Sequence, residues 1–217
     1  MKNFFVSLFD LIFPRRPNDA AIADISPADF YEKIPRWDAR EIYPNMHAIF
    51  RYKDPTAKAM VKEFKSSRNE HAARIGAHAL ASFLQESGID DAIIIPMPIS
   101  KKRRKKRGYN QCEFILVFFM REVASTDLSS LGLNAHFEIR TDILEKTIDT
   151  PKLALQNRAA RLQANKGAFK ALAPLSHIKK QIIVIDDVIT TGSTMHSALE
   201  ALRHAGAKNV FGVGIAH

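Results

Sequence analysis

The residues best suited to chemistry stand together near the carboxyl end, in Ile182–Thr194, IIVIDDVITTGST. Two adjacent carboxylates, Asp186 and Asp187, follow an apolar run, and after a short spacer come Thr190, Thr191, Gly192, Ser193 and Thr194. The apolar run reads as a strand covered on both faces, which would carry the acids to its carboxyl end, where open α/β sheets bind ligands. Glycine permits close backbone approach, the hydroxyls add donors, and the first amides of a following helix converge on one spot. That combination reads as an anion cradle. It is not a Walker loop, because it has no GxxxxGKS/T run and no lysine. Carboxylates beside an anion cradle suit a ribose 5-phosphate, whose vicinal hydroxyls donate to acids and whose phosphate accepts from amides. The plainer reading of the same residues is a strand followed by a threonine-rich helix cap.

A second cluster is electrostatic. Lys101, Lys102, Arg103, Arg104, Lys105, Lys106 and Arg107 are seven consecutive cations, and they account for most of a formal charge of +9. They read as a basic loop that leaves the strand Ala92–Ile95 (AIII). Such a loop could meet the phosphates of a nucleic acid, with Tyr109 at its end placed to stack on a base, or could stay solvated. Other chemistry is thin. A single cysteine, Cys112, excludes an internal disulfide and a Cys₄ or Cys₂His₂ zinc site, and a reducing cytoplasm is the expected compartment. The eight histidines include no HExxH pattern, so no protein metal cage is expected.

These groups need elements to position them. With 217 residues, 46% of them hydrophobic, the chain can bury a substantial core. Phe4–Phe13 reads as a short surface or docking helix: it carries Asp10, lacks a cleavage site and is too short to span a bilayer. Residues 14–46 hold Pro14, Pro17, Pro27, Pro35 and Pro44 and read as irregular, which divides the chain into a segment 1–46 and a domain 47–217. Within the domain, a strand His47–Tyr52 precedes a helix started by Asp54 and Pro55, and a second helix runs from Glu70 to Ser87. After Ala92–Ile95 come a buried helix Glu113–Val123, a strand-like patch His136–Ile143 and a helix near Leu153–Gln163. Ile182–Ile185, a helix Ser193–His204 and a strand Val210–Ile215 complete the chain. Strand and helix alternate, so the fold class is α/β with a mainly parallel central sheet flanked by helices and a small irregular N-terminal segment.

The hydrophobic strand, acid pair and T-T-G-S-T loop together resemble the phosphoribosyl-pyrophosphate signature of type I phosphoribosyltransferases. Ile95–Gln111, IPMPISKKRRKKRGYNQ, is similar to the ComF-like competence-associated group, in which a strand ends in P-x-P, passes through basic residues and closes on R-G-F/Y-N-Q. The opening LFDLIFPRRP and the stretch Arg158, Arg161, Gly167, Ala168, Phe169 resemble that group too. Two features depart from it. The zinc-ribbon cysteines found in many members are missing, and Leu153 and Ala164 stand where glutamine and asparagine are usual.

The resemblance implies a type I phosphoribosyltransferase fold and a protein associated with DNA uptake. Asp186 and Asp187 would hold the ribose hydroxyls, and Thr190–Thr194 the 5-phosphate. Pro98, Ile99, Ser100 and Lys101 would wrap the pyrophosphate, and Arg158 and Arg161 would belong to a mobile lid. Magnesium would be held mainly by the substrate. The ligand would be phosphoribosyl pyrophosphate. Thr190 replaces the aspartate of 6-oxopurine salvage enzymes, which disfavours that acceptor and leaves it open. A non-catalytic ligand-sensing DNA-uptake factor, touching single-stranded DNA or a recombination protein through Lys102–Arg107 and Tyr109, is the alternative reading.

Overall fold

The two uninterrupted apolar runs become neighbouring strands at the centre of the sheet. In the computed structural model, which describes residues 17–37, 43–125, 136–148 and 167–217, β2 (Asp91–Pro96) pairs in parallel with β6 (Gln181–Val188). Outward from this pair lie β7 (Val210–Ala216) and β1 (Met46–Phe50) on one side and β3 (His136–Ile139) on the other. The order is β1-β7-β6-β2-β3, every neighbour parallel. A parallel sheet needs cover on both faces, and strand pleating divides the side chains accordingly. Ile94, Ile183, Ile185, Val213 and Ile215 face one core, whereas Ile93, Ile95, Ile182, Val184 and Val210 face another.

The first core is roofed by helices whose ends obey local rules. Asp54 caps α3 (Pro55–Ser66) by accepting from the amides of Thr56 and Ala57, with Pro55 at the first helical position. Asn69 caps α4 (Glu70–Glu86) in the same way through Ala72. The helix α6 (Gln111–Ser125) packs beside α4. Expected to be buried throughout, α6 instead leaves Val117 49% and Met120 38% exposed, because only one stripe of a helix can face a sheet. The second core is covered by α7 (Ser193–His204) and by a small antiparallel pair, β4 (Leu144–Lys146) with β5 (Phe169–Ala171).

Three sequence expectations are corrected. The segment 14–46 contains two short helices, α1 (Pro17–Ala20) and α2 (Pro27–Lys33), which are built into the first core through Ile22, Phe30 and Tyr31. The patch His136–Ile143 is divided, since β3 ends at Ile139 and a turn held by Arg140 bonding both oxygens of Asp142 leads into β4. The basic loop is a helix, α5 (Lys101–Arg107), opened by Ser100, whose hydroxyl accepts from the Arg103 amide, and closed by Gly108 in the left-handed region at φ 83°. Lysine and arginine are good helix formers, and exposure lets water screen their mutual repulsion. The expected helices Phe4–Phe13 and Leu153–Gln163, with Arg158 and Arg161, lie outside the described residues. Among those described, no helix is long and apolar enough to cross a membrane.

The first turn of α7 comes close to β7 because residue 212 has no side chain. A Cβ at Gly212 would fall 2.3 to 2.9 Å from the atoms of the buried Met195 side chain. Gly212→Ala should therefore destabilise the fold by about 1–3 kcal/mol, read as a lower urea midpoint with unchanged slope.

Candidate functional site

The chain leaves β2 toward α5, α6 and β3, but leaves β6 toward α7 and β7, so the two loops diverge and open a crevice at the carboxyl ends of these strands. That is the topological switch point at which open α/β sheets bind ligands. The crevice floor is tied, since the Met97 amide donates to the Ile185 carbonyl at 2.8 Å and Asn110, 1% exposed, donates to the Met97 carbonyl at 3.0 Å.

Asp186 and Asp187 both lie within β6, so pleating sends them to opposite faces. Asp187 points to the face of Ile183 and Ile185 and is 5% exposed. Lys65, from the last turn of α3, brings its Nζ to 3.3 Å from Asp187 Oδ2, close enough for charge pairing although no donor is aligned on that oxygen. Asp186 is half-buried on the other face. Its Oδ1 accepts from the Asp187 amide at 2.9 Å and lies 3.9 Å from Cys112 Sγ. Burial first, and the neighbouring Asp187 charge second, push its carboxyl up to about 7, while Lys65, the Asp187 amide and the buried Lys146 pull the other way. The Cys112 thiol is pushed well above its ordinary range by burial and by both acids, which leaves it a poor nucleophile.

The loop expected to form the cradle leads directly into α7. Gly192 adopts φ 74° as the N-cap residue of α7, a helix that starts without a side-chain cap hydrogen bond. Thr191 Oγ1 donates to Ser193 Oγ at 3.1 Å; Ser193 and Gly192 are buried, Thr191 and Thr194 half-buried, and Thr190 exposed. Tyr43 packs its ring 3.1 Å from where a Gly192 Cβ would stand, so that position requires glycine for space as well as for φ. A groove of about 300 Å³ continues from the cradle past Tyr43, Asn45, His196 and Arg203. A larger cavity, about 890 Å³, lies toward the amino-terminal ends of the strands beside β1, away from both acids.

The turn Pro98–Lys101 borders the crevice, though its parts differ in use. Pro98 and Ile99 are half-buried, Ser100 is buried as the cap of α5, and Lys101 extends into solvent 3.8 Å from Glu145. Tyr109, named in the sequence as a possible base-stacking residue, acts in the structure as a clasp. Its hydroxyl donates to the Phe64 carbonyl and accepts from the Arg68 amide, and its ring is flanked by Phe114 and the Arg68 guanidinium. Arg107 bonds Gln111, and Asn110 Oδ1 accepts from the Cys112 amide, so the R-G-Y-N-Q stretch largely fixes the junction between α5 and α6. Sequence reasoning missed Lys65, Lys146, Asn110 and Tyr43. Nothing in a lysine near the end of an amphipathic helix signals a distant aspartate, whereas Asn110 directly before an apolar helix was readable as a cap.

In the unfolded chain Asp186 ionises near 3.8, and in the folded protein near 7. Between those values the folded state holds the extra proton. The stability this contributes is complete below the lower value and is lost as pH rises through the upper one. Asp186→Asn should flatten that decline and stabilise the protein by about 1–3 kcal/mol at alkaline pH in urea unfolding; an unaltered pH profile would contradict burial as the cause.

Residues 132–217 match the phosphoribosyl transferase domain model, a span that contains β3 to β7, the acid pair and the cradle. The chain is 28% identical over 176 residues to Competence protein ComFC of Streptococcus pneumoniae, covering 80% of this chain and 69% of that protein. It is 27% identical over 124 residues to Competence protein F of Haemophilus influenzae, covering 57% of this chain and about half of that protein's length (49%). With a parallel five-stranded sheet and an acid pair followed by a glycine–hydroxyl loop at its switch point, the chain is similar over residues 132–217 to phosphoribosyl transferase domains and over most of its length to competence proteins of the ComF kind.

Proposed function

We propose that the protein binds phosphoribosyl pyrophosphate in the crevice at the ends of β2 and β6 and transfers its phosphoribosyl group to an acceptor in the handling of incoming DNA. One observation carries the reading: at the switch point of a parallel sheet, an acid pair at the end of β6 is followed by a glycine–hydroxyl loop that opens a helix. The 5-phosphate would rest on the first amides of α7 and the hydroxyls of Thr190, Thr191, Ser193 and Thr194. Asp186 would accept from the ribose hydroxyls and lie near the positive charge that grows on the sugar as the C1–pyrophosphate bond lengthens. Asp187 reinforces the negative potential there. Positioning and charge stabilisation would do most of the work, so no protein nucleophile is required, in keeping with an inert Cys112.

Among the described residues, no group of three or more His, Cys, Asp or Glu could hold a metal ion. Magnesium delivered with pyrophosphate would be held by substrate oxygens and water. Bound there, the ion would offset the leaving group's charge. Lys101 adds a cation at the crevice edge.

The exposed cations of α5 support a second activity in the same protein. Lys102, Arg104, Lys105 and Lys106 are all exposed, on a helix about 10 Å long that adjoins the crevice. Such a rod matches a few successive phosphates of a single strand. A protein that only senses phosphoribosyl pyrophosphate while this helix holds single-stranded DNA would show binding of both without turnover.

Two measurements test these readings. Calorimetry with phosphoribosyl pyrophosphate and magnesium should show binding by the wild type and a loss of about 100-fold or more in Asp186→Asn/Asp187→Asn; a wild type that does not bind sinks the proposal. Release of pyrophosphate over an acceptor panel then separates enzyme from sensor. For DNA, replacing Lys102, Arg104, Lys105 and Lys106 by glutamine should reduce the slope of log affinity against log salt by about 2–3, and an unchanged slope would reject α5 as the contact.

A further inference from the structure

The last turn of α3 reaches the candidate site from a part of the chain that carries no recognisable motif. Lys65 Nζ stands 3.3 Å from Asp187 Oδ2, and its side chain is 35% exposed. The turn that presents it is held from several directions. Ser67 donates to the Glu63 carbonyl at 3.0 Å and to the carboxylate of Glu63, itself 2% exposed, and Tyr109 bridges the Phe64 carbonyl and the Arg68 amide. Lys65 is therefore delivered to Asp187 by a fixed backbone.

Asp187 is 5% exposed, and no hydrogen-bond donor is aligned on its Oδ2. A buried carboxylate so placed is costly without a counter-cation. Its neighbour Asp186 lies on the opposite face of β6, half-buried at the crevice. We propose that Lys65 is a positioning residue of the ligand site, pairing with Asp187 on the α3 face of β6 and so leaving Asp186 as the acid that meets the ligand. The two neighbouring acids thus have unequal jobs, one facing a lysine and one facing the ribose.

The groups that bear on Asp186 come from every side: Asp187 within β6, Lys65 from α3, Lys146 from β4 and Cys112 from α6. Removing Lys65 takes away a cation that favours ionisation of Asp186, whose proton is then held to higher pH. The ligand in this inference is that of the preceding reading, but the division of labour belongs to the ligand-free protein and can be measured there.

The test combines carboxyl-carbon NMR titration of the ligand-free protein with calorimetry against phosphoribosyl pyrophosphate and magnesium, for wild type, Lys65→Met, Lys65→Gln and Lys65→Arg. In Lys65→Met the Asp186 midpoint should rise by about one pH unit. Affinity near neutral pH should fall about tenfold and recover at higher pH. Lys65→Arg should keep the wild-type midpoint and affinity. If the methionine variant lacks native circular dichroism, the glutamine variant carries the comparison. An unmoved midpoint in a folded variant, or an arginine variant that behaves like methionine, overturns the proposal. A moved midpoint in a protein whose wild type binds no phosphoribosyl pyrophosphate refutes the ligand reading alone and leaves the role of Lys65 standing.

Discussion

Two carboxylates on consecutive residues at the end of a buried parallel strand are the constraint around which this molecule is organised. Apolar packing on both sheet faces holds β6 where it is, and that packing denies Asp186 and Asp187 most of the water that would stabilise their charges. Pleating offers one remedy, since it sends the two side chains to opposite faces and reduces their mutual repulsion. Cations supply the other, with Lys65 at Asp187 and Lys146 acting on Asp186. Much of the surrounding structure serves this arrangement: the fixed turn at the end of α3, the tie from Asn110 to Met97, and the buried thiol of Cys112.

Sheet topology then gives the charged pair a place to act. Because the loops after β2 and β6 run in opposite directions, the strand ends are not covered by their own connections. The helix α7 starts a few residues after the acids, with no side-chain cap hydrogen bond and a left-handed glycine under Tyr43. An acid pair and a glycine–hydroxyl loop thereby follow one another at the end of a single strand. The acid pair also works against stability, as expected where function requires a charge in a poorly hydrated position.

The basic stretch illustrates how one segment combines structure and charge. Its ends are tied down, by Ser100 at the start and by Gly108, Tyr109, Asn110 and Gln111 at the finish. The result is a short rod of cations and not a solvated loop. Signals for that helix are in the sequence, as a serine before the run, a glycine after it and good helix formers between them. The proline count similarly suggested irregularity in 14–46, although Pro17 and Pro27 each occupy the first position of a helix, where proline is well accommodated.

By itself the sequence determined the central strands, the acid pair, the cradle and the family resemblance, because each depends on a short contiguous pattern of residue types. An apolar run buried on both faces, an acid pair and a glycine–hydroxyl loop are local statements that survive without coordinates. Tertiary structure alone decided which acid faces the crevice, which lysines compensate the pair, and how Tyr109 is used. Those outcomes depend on which helix is packed over which face of β6, so partners such as Lys65 and Asp187 meet only after the sheet has formed. Charge compensation in a buried site is a long-range property of the fold, and a linear pattern holds no record of it.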